Sequence, residues 1–238
     1  MERKETDIRW SLGLKCSTGF ESLDKMLGGG ARLGSVSLIA CTVSAARDRF
    51  LIELAANEMK RGYGVIYITT DRTGRAIEEE IRKKVSKSTY SELLVIIDTI
   101  STMLEDRYVP PIKYSSIPND FSRVDKMVDE CFNLLRKRGI AQQVLIFDSV
   151  DKPLRLVNGH MNVYKILLSI QILLEGYSAP GFFVINPRMH QTMVLRSING
   201  LSGSFIVVDN KTNQLLTMTA GSKRSAKFLT DRTSFKIL

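Results

Sequence analysis

The sequence predicts an α/β fold in which a mostly parallel, twisted sheet is flanked by helices. Uniformly apolar segments alternate with amphipathic segments, a pattern typical of strands buried between two helical layers. The apolar segments near the carboxyl terminus follow one another closely, which favours antiparallel strands at one sheet edge. From its length of 238 residues we expect a single domain over 1–238, of which 1–16 is an amino-terminal extension.

Each predicted element rests on a local pattern. Apolar runs predict five buried strands at 36–40, 65–69, 93–98, 144–148 and 181–186, and three antiparallel strands at 204–209, 214–219 and 233–238. Apolar residues at helical spacing predict helices over 20–27, 50–59, 77–85, 124–135 and 162–175. Ser17 or Thr18 is expected to cap the first of these helices, and Ser122 the fourth. Residues 99–121 hold three prolines without periodicity and are expected to form a long surface loop.

Composition narrows the functional classes. No apolar run approaches the roughly 20 residues that span a bilayer, so we expect no membrane segment. Three scattered cysteines without C-x-x-C spacing suit a reducing cytoplasm, and two distant histidines argue against a metal site. A net charge of +9 favours polyanionic partners such as nucleic acid; the alternative is charge spread over solvated faces.

A short loop within residues 35–50, SVSLIACTVSAARDRF, joins a predicted strand to a predicted helix. In phosphate-binding proteins this arrangement carries G-x-x-x-x-G-K-[ST], whose backbone N–H groups and lysine surround the phosphates. The eight positions from Cys41 to Asp48 are Cys, Thr, Val, Ser, Ala, Ala, Arg and Asp here. The frame is therefore retained, while the residues that would contact phosphate are replaced.

Four segments of this chain resemble the RecA superfamily, specifically its KaiC-like and RadA-like branch. They are STG…LD…LGGG…GSVSLIA at the entry to the first strand, YITTDRTGRAIEEEI, VLIFDS, and the closing GSKRSAKFLTDRTSFKIL. In that family the acid of the third segment, Asp148 here, helps to hold magnesium. The resemblance covers about residues 16–238 and implies a RecA-like P-loop fold with a carboxyl-terminal hairpin.

The resemblance also identifies where this chain departs from the family. The glycine positions of the phosphate loop are Cys41, Ser44 and Ala46 here, and a β-carbon hinders the tight turn and the approach of phosphate. The lysine position is Arg47, and the position of the magnesium-binding hydroxyl is Asp48. A carboxylate about 4 Å from a phosphate oxygen costs roughly 4 kcal/mol at an effective dielectric near 20. We therefore expect nucleotide to be excluded unless magnesium offsets this repulsion.

Two further family positions are altered. The catalytic acid position resembles Asp71, one methylene shorter than the family's glutamate, which is expected to slow hydrolysis. The positions that supply a cationic finger to a neighbouring subunit resemble Met218 and Ala220. Asp71 and Asp148 are thus the vestigial catalytic candidates, and Asp148 and Ser149 complete the vestigial nucleotide-binding set.

These departures predict a non-catalytic pseudo-ATPase that acts by association in signalling or in DNA recombination and repair. Its expected partner is a RecA-, RadA- or KaiC-family protein or a second copy of itself, without cofactor. One alternative is a weak ATP-binding or ATPase switch that uses magnesium and has Arg47 in place of lysine. Another is a DNA-binding accessory protein, with candidate contacts at Arg188, Arg196, Lys223, Arg224 and Lys227.

Simpler structural roles remain open for the same residues. Arg47 and Asp48 are expected to form an ion pair within the loop, which at a surface contributes at most about 1 kcal/mol. Asp148 is either a magnesium ligand or the polar end of a buried strand, and Asp71 is expected to cap a loop. The basic residues of the tail are, on the simplest interpretation, a solvated hairpin face.

Overall fold

The architecture follows from a computed structural model that describes residues 14–42, 45–101, 107–114, 120–156, 160–209, 211–219, 222–231 and 234–238. Within these residues the strands are β1 Lys15–Cys16, β2 Ala31–Arg32, β3 Val36–Cys41, β4 Gly64–Thr69, β5 Leu94–Asp98, β6 Arg107–Val109, β7 Ile112–Tyr114, β8 Gln143–Asp148, β9 Gly181–Ile185, β10 Ser202–Asp209, β11 Gln214–Thr219, β12 Ser222–Thr230 and β13 Phe235–Ile237. The helices are α1 Glu21–Met26, α2 Ala45–Lys60, α3 Gly74–Arg82, α4 Lys87–Leu93, α5 Val124–Lys137, α6 Asp151–Leu156, α7 His160–Tyr177 and α8 Thr192–Asn199, with a 3₁₀ turn at Pro187–Met189.

Eleven of the described strands form one sheet in the order β13-β12-β11-β10-β3-β9-β8-β4-β5-β7-β6. The central strands β10, β3, β9, β8, β4 and β5 are parallel, and β7 continues the parallel pairing from β5. The strands β11, β12 and β13 extend one edge in antiparallel pairing, and β6 does so at the other. The predicted α/β class, with a mostly parallel sheet and antiparallel carboxyl-terminal strands, is confirmed.

The uniformly apolar strands are buried because helices cover both faces of the central sheet. Successive side chains of a strand point to opposite faces, so Val65 and Tyr67 enter one core while Ile66 and Ile68 enter the other. The first core lies beneath α2, α3 and α4, and the second beneath α5, α7 and α8. All six residues of β3, β4 and β8 are buried, as expected for strands with helices on either side.

The two predicted helix caps are wrong. The N-cap of α1 is Phe20, which has no side-chain capping bond, while Ser17 and Thr18 instead hydrogen-bond through their side chains to the Asp24 carboxylate. At α5 the N-cap is Arg123, also without a side-chain capping bond. A carboxylate one turn inside α1 thus organises the loop that precedes this helix.

Two connections differ from the sequence-based expectation. The expected loop over 99–121 contains the hairpin β6–β7, whose second strand pairs with β5 through the buried Ile112. The strand β10 pairs antiparallel with β11, as predicted, but on its other side it pairs in parallel with β3, because the unpredicted helix α8 provides the crossover that parallel pairing needs. Residues 1–13, most of the proposed amino-terminal extension, lie outside the described residues.

Candidate functional site

The candidate site lies where β3, β4 and β8 reach the same edge of the sheet at their carboxyl ends. The strand β3 ends at Cys41 and α2 begins at Ala45, so a short loop leads directly into the helix. Thr69 of β4 lies opposite Asp148 of β8, and Asp71 follows two residues after the end of β4. Open α/β sheets bind ligands at such edges, because the loops after parallel strands converge there.

Arg47 is the centre of this site. Its side chain leaves the first turn of α2 and is buried, with the whole residue 1% exposed. The guanidinium contacts three carboxylates: Nη2 lies 2.7 Å from Asp48 Oδ1, Nη1 lies 3.3 Å from Asp71 Oδ2, and Nη2 lies 3.6 Å from Asp148 Oδ1. One cation therefore ties α2, the segment after β4 and the end of β8 together.

Asp148 is fully buried beside this cation, and its surroundings explain its altered acidity. Burial raises the pKa of its carboxyl from 3.8 to about 6, although Arg47 and a hydrogen bond from the Tyr67 hydroxyl oppose this shift. That hydroxyl donates to Asp148 Oδ2 over 2.9 Å. Burial also disfavours the charge of Arg47, but its three carboxylates outweigh burial and hold the pKa of Arg47 above its ordinary value.

The expected Arg47–Asp48 contact is present, but its environment is not a surface. The value of at most about 1 kcal/mol applies to exposed pairs, whereas the Arg47 side chain is 2% exposed and makes two further ion contacts. Asp71 is not the cap of the helix that follows it, because the N-cap of α3 is Thr73, whose side chain accepts from the Ala76 backbone N–H. Asp71 instead faces Arg47.

Of the three positions that are glycine in the phosphate loop of the family, the structure describes two. Cys41 is buried at the end of β3, and Ala46 is buried in the first turn of α2. Ser44 lies outside the described residues, as does Ala220 of the finger positions, whereas Met218 is 40% exposed on β11. Within the described chain, no group of three or more His, Cys, Asp or Glu side chains is arranged to hold a metal ion.

A second polar network lies at the ends of β8 and β9 and includes Ser149. Asp151 is at its centre. Its Oδ2 accepts a hydrogen bond from Ser149 Oγ over 3.0 Å, and its Oδ1 accepts one from the backbone N–H of Asn186 over 2.9 Å. His190 Nε2 lies 2.7 Å from Asp151 Oδ1 and the His190 side chain is 3% exposed, so it anchors the loop after β9 instead of facing solvent. Sequence patterns did not identify Asp151 or Tyr67, because their polar roles depend on strands that meet only in the fold.

The five candidate nucleic-acid contacts do not form one surface. On β12, Lys223 and Lys227 point to one face of the sheet, whereas Arg224 points to the other and donates to the Lys25 carbonyl at the end of α1. Arg196 is exposed on α8, and Arg188 is exposed in the 3₁₀ turn.

Comparison with known proteins agrees with this architecture. The model of a family of unknown function, DUF7125, matches residues 15–152. The DNA repair protein RadA of Mycobacterium tuberculosis, in strains CDC 1551 / Oshkosh and ATCC 25618 / H37Rv, is 30% identical over 109 residues; the match covers 37% of this chain. It spans only 23% of the length of these curated relatives.

A solved structure matches almost the whole chain. The crystal structure of a KaiC-like protein from the hyperthermophilic archaeon Pyrococcus horikoshii OT3 superposes with a TM-score of 0.66 at 12% identity, covering 94% of this chain and 99% of that one. At that identity the likeness establishes the fold alone. No helix of the described chain is both long and apolar enough to cross a membrane. The chain therefore belongs to the family of unknown function DUF7125 and has the fold of that KaiC-like protein.

Proposed function

We propose that this protein is a RecA-like domain that does not hydrolyse ATP and that acts by association. Its partner is a RecA-, RadA- or KaiC-type protein or a second copy of the chain, and its role is regulatory or structural in signalling or in DNA recombination and repair. The observation that carries this proposal is the burial of Arg47 among the carboxylates of Asp48, Asp71 and Asp148.

The electrostatics of this cluster support the proposal. A lysine that binds phosphate must present its charge to the ligand, whereas the charge of Arg47 is already neutralised by Asp48 and by two further carboxylates. A triphosphate seated here would place its oxygens beside those carboxylates, and each close pair costs roughly 4 kcal/mol at an effective dielectric near 20. The side chains of Cys41 and Ala46 also occupy positions where the resemblance implies glycine.

One observation favours the second candidate function, an ATP-binding switch. A cavity of about 590 Å³ lies beside the first turns of α2 and is lined by Asp48, Arg49, Arg72, Lys83 and Lys84, among others. Cations outnumber acids in its wall, which suits a phosphorylated ligand. Much of this charge is already paired, since Arg72 forms two hydrogen bonds with Glu80 and Lys84 forms an ion pair with Glu53. We therefore rank this function second.

Calorimetric titration with ATP and magnesium separates the two candidates. We expect no heat of binding and no thermal shift for the natural chain. A variant with a restored loop, combining Cys41→Gly, Ser44→Gly, Ala46→Gly, Arg47→Lys and Asp48→Thr, is expected to gain micromolar binding, because both the turn and the charges then suit phosphate.

Two results would contradict the proposal that this protein does not bind or hydrolyse ATP. Micromolar binding by the natural chain would favour the switch. ATP hydrolysis by the natural chain that is lost in Asp148→Ala would refute the non-catalytic proposal altogether. The variant Arg136→Lys serves as a matched control, because it changes an exposed arginine to lysine on α5, which covers the opposite face of the sheet from α2.

A further inference from the structure

A second cavity lies under α8, on the sheet face opposite to the one that α2 covers. Its volume is about 560 Å³, which is within the range of small-molecule sites. Its apolar wall comes from β3, β9, α8, β10 and β11, through Leu38, Ile185, Leu195, Phe205 and Met218. Leu38 and Ile185 belong to the core beneath α5, α7 and α8, so this cavity is separate from the Arg47 site.

Arg196 supplies the charge of this cavity. Of the described residues that line it, Arg196 alone is charged, and no described carboxylate forms an ion pair with it. Arg224, by contrast, points to the opposite face of the sheet and donates to the Lys25 carbonyl. A guanidinium beside an apolar wall pairs well with a carboxylate, because its planar fork matches the two oxygens.

The polar remainder of the wall is concentrated at the start of β10. Ser202, Gly203 and Ser204 line the cavity at a point where the pairing of β10 with β3 is interrupted by a register shift. Such bulges change the direction of side chains and occur next to binding sites. Asn199 and Thr192 of α8 add an amide and a hydroxyl. An apolar wall, a few polar groups and one cation are the features of a site for a small amphipathic anion.

We propose that this cavity binds a small monoanion with an apolar body, a medium-chain or aryl carboxylate, and that Arg196 pairs with its carboxylate. The apolar part of the ligand lies against Leu195 and Phe205. Nucleotides fit this site poorly, because a single cation faces the several charges of their phosphates. The proposal does not depend on whether the Arg47 site binds ATP.

Calorimetric titrations with octanoate and with 1-octanol test this proposal. These probes share a chain length and differ in charge, so we expect octanoate to bind at submillimolar concentration and at least tenfold more tightly than 1-octanol. In Arg196→Gln this difference is expected to disappear, with octanoate weakened about tenfold, because the charge-assisted contact is lost. Asn199→Trp, at an exposed position of the wall, is expected to weaken both probes by filling the cavity.

Lys223→Gln is the matched control. It removes one positive charge from β12, on the strand that neighbours Met218, but Lys223 does not line the cavity. We expect its octanoate affinity to equal that of the natural chain. Absence of binding at millimolar octanoate, equal affinity for the two probes, or unchanged affinity in Arg196→Gln would each overturn the proposal.

Discussion

Two buried charged residues of α2 are compensated very differently. Arg47 is surrounded by three carboxylates, so the loss of its hydration is offset by ion contacts from three elements. Glu58 lies near the end of the same helix and is fully buried. Its Oε2 lies 3.2 Å from Arg61 Nη1, whereas its Oε1 has no hydrogen-bond partner among the described residues. Burial raises the pKa of Glu58 to about 8, with Arg61 opposing and Asp24 adding to the shift.

Replacing Glu58 by glutamine is expected to flatten the dependence of stability on pH. Because the folded chain holds the Glu58 proton more tightly than the unfolded chain, stability from this group is present below about pH 4.5 and is lost as the pH rises toward 8. The loss between pH 4 and pH 8 is on the order of 4 kcal/mol. Urea titrations from pH 4 to pH 8 measure it. A natural chain whose profile matches that of Glu58→Gln would contradict the assignment, and Glu79→Gln on the exposed side of α3 is the control.

At the scale of elements, three consecutive glycines position the entry to the sheet. Gly28, Gly29 and Gly30 all have positive φ after the end of α1, at 71°, 117° and 111°. A β-carbon on Gly30 would lie 2.0 Å from the Cys16 carbonyl oxygen, so the close approach of this turn to β1 requires glycine. Gly62, after α2, also has a positive φ of 84°, but no described heavy atom lies within 4 Å of the position that a β-carbon would take there.

This pair of glycines separates backbone strain from steric contact. Gly62→Ala is expected to lower the free energy of unfolding by about 1 kcal/mol, the cost of a left-handed conformation for a residue with a β-carbon. Gly30→Ala adds the clash with Cys16 and is expected to cost more than about 2 kcal/mol. Urea denaturation of both variants measures the difference. Equal costs would mean that the β1 contact relaxes freely.

Within a molecule of net charge +9, the strand β12 carries three cations, and they are divided between the two faces of the sheet. Lys223 and Lys227 share one face of β12 and are exposed, while Arg224 points to the opposite face and holds α1. A nucleic acid that binds this face of β12 therefore contacts Lys223 and Lys227 but not Arg224. The half-buried Leu216 lies on the same face as the lysines.

We expect single-stranded DNA to bind weakly to this lysine face and to dissociate as salt rises from about 50 to 200 mM, because bound phosphates displace counterions. The double variant Lys223→Glu with Lys227→Glu is expected to weaken binding by more than tenfold. Arg224→Glu is the control and is expected to change the affinity by less than about threefold. Fluorescence anisotropy measures all three. Equal effects of the double variant and the control would indicate diffuse charge without a site.

Local sequence patterns were sufficient to predict those features that depend on a single strand or a single segment. The apolar runs determined the five central strands, and the entry segment with VLIFDS indicated the RecA-like fold that the comparisons establish. The contact between Arg47 and Asp48 was predictable because these two residues are neighbours in the sequence. Tertiary structure decided the rest, because Arg47 meets Asp71 and Asp148 only when three strand ends converge, and because α8 sets β10 parallel to β3. Contacts between residues far apart in the chain leave no periodic signal in either partner's sequence.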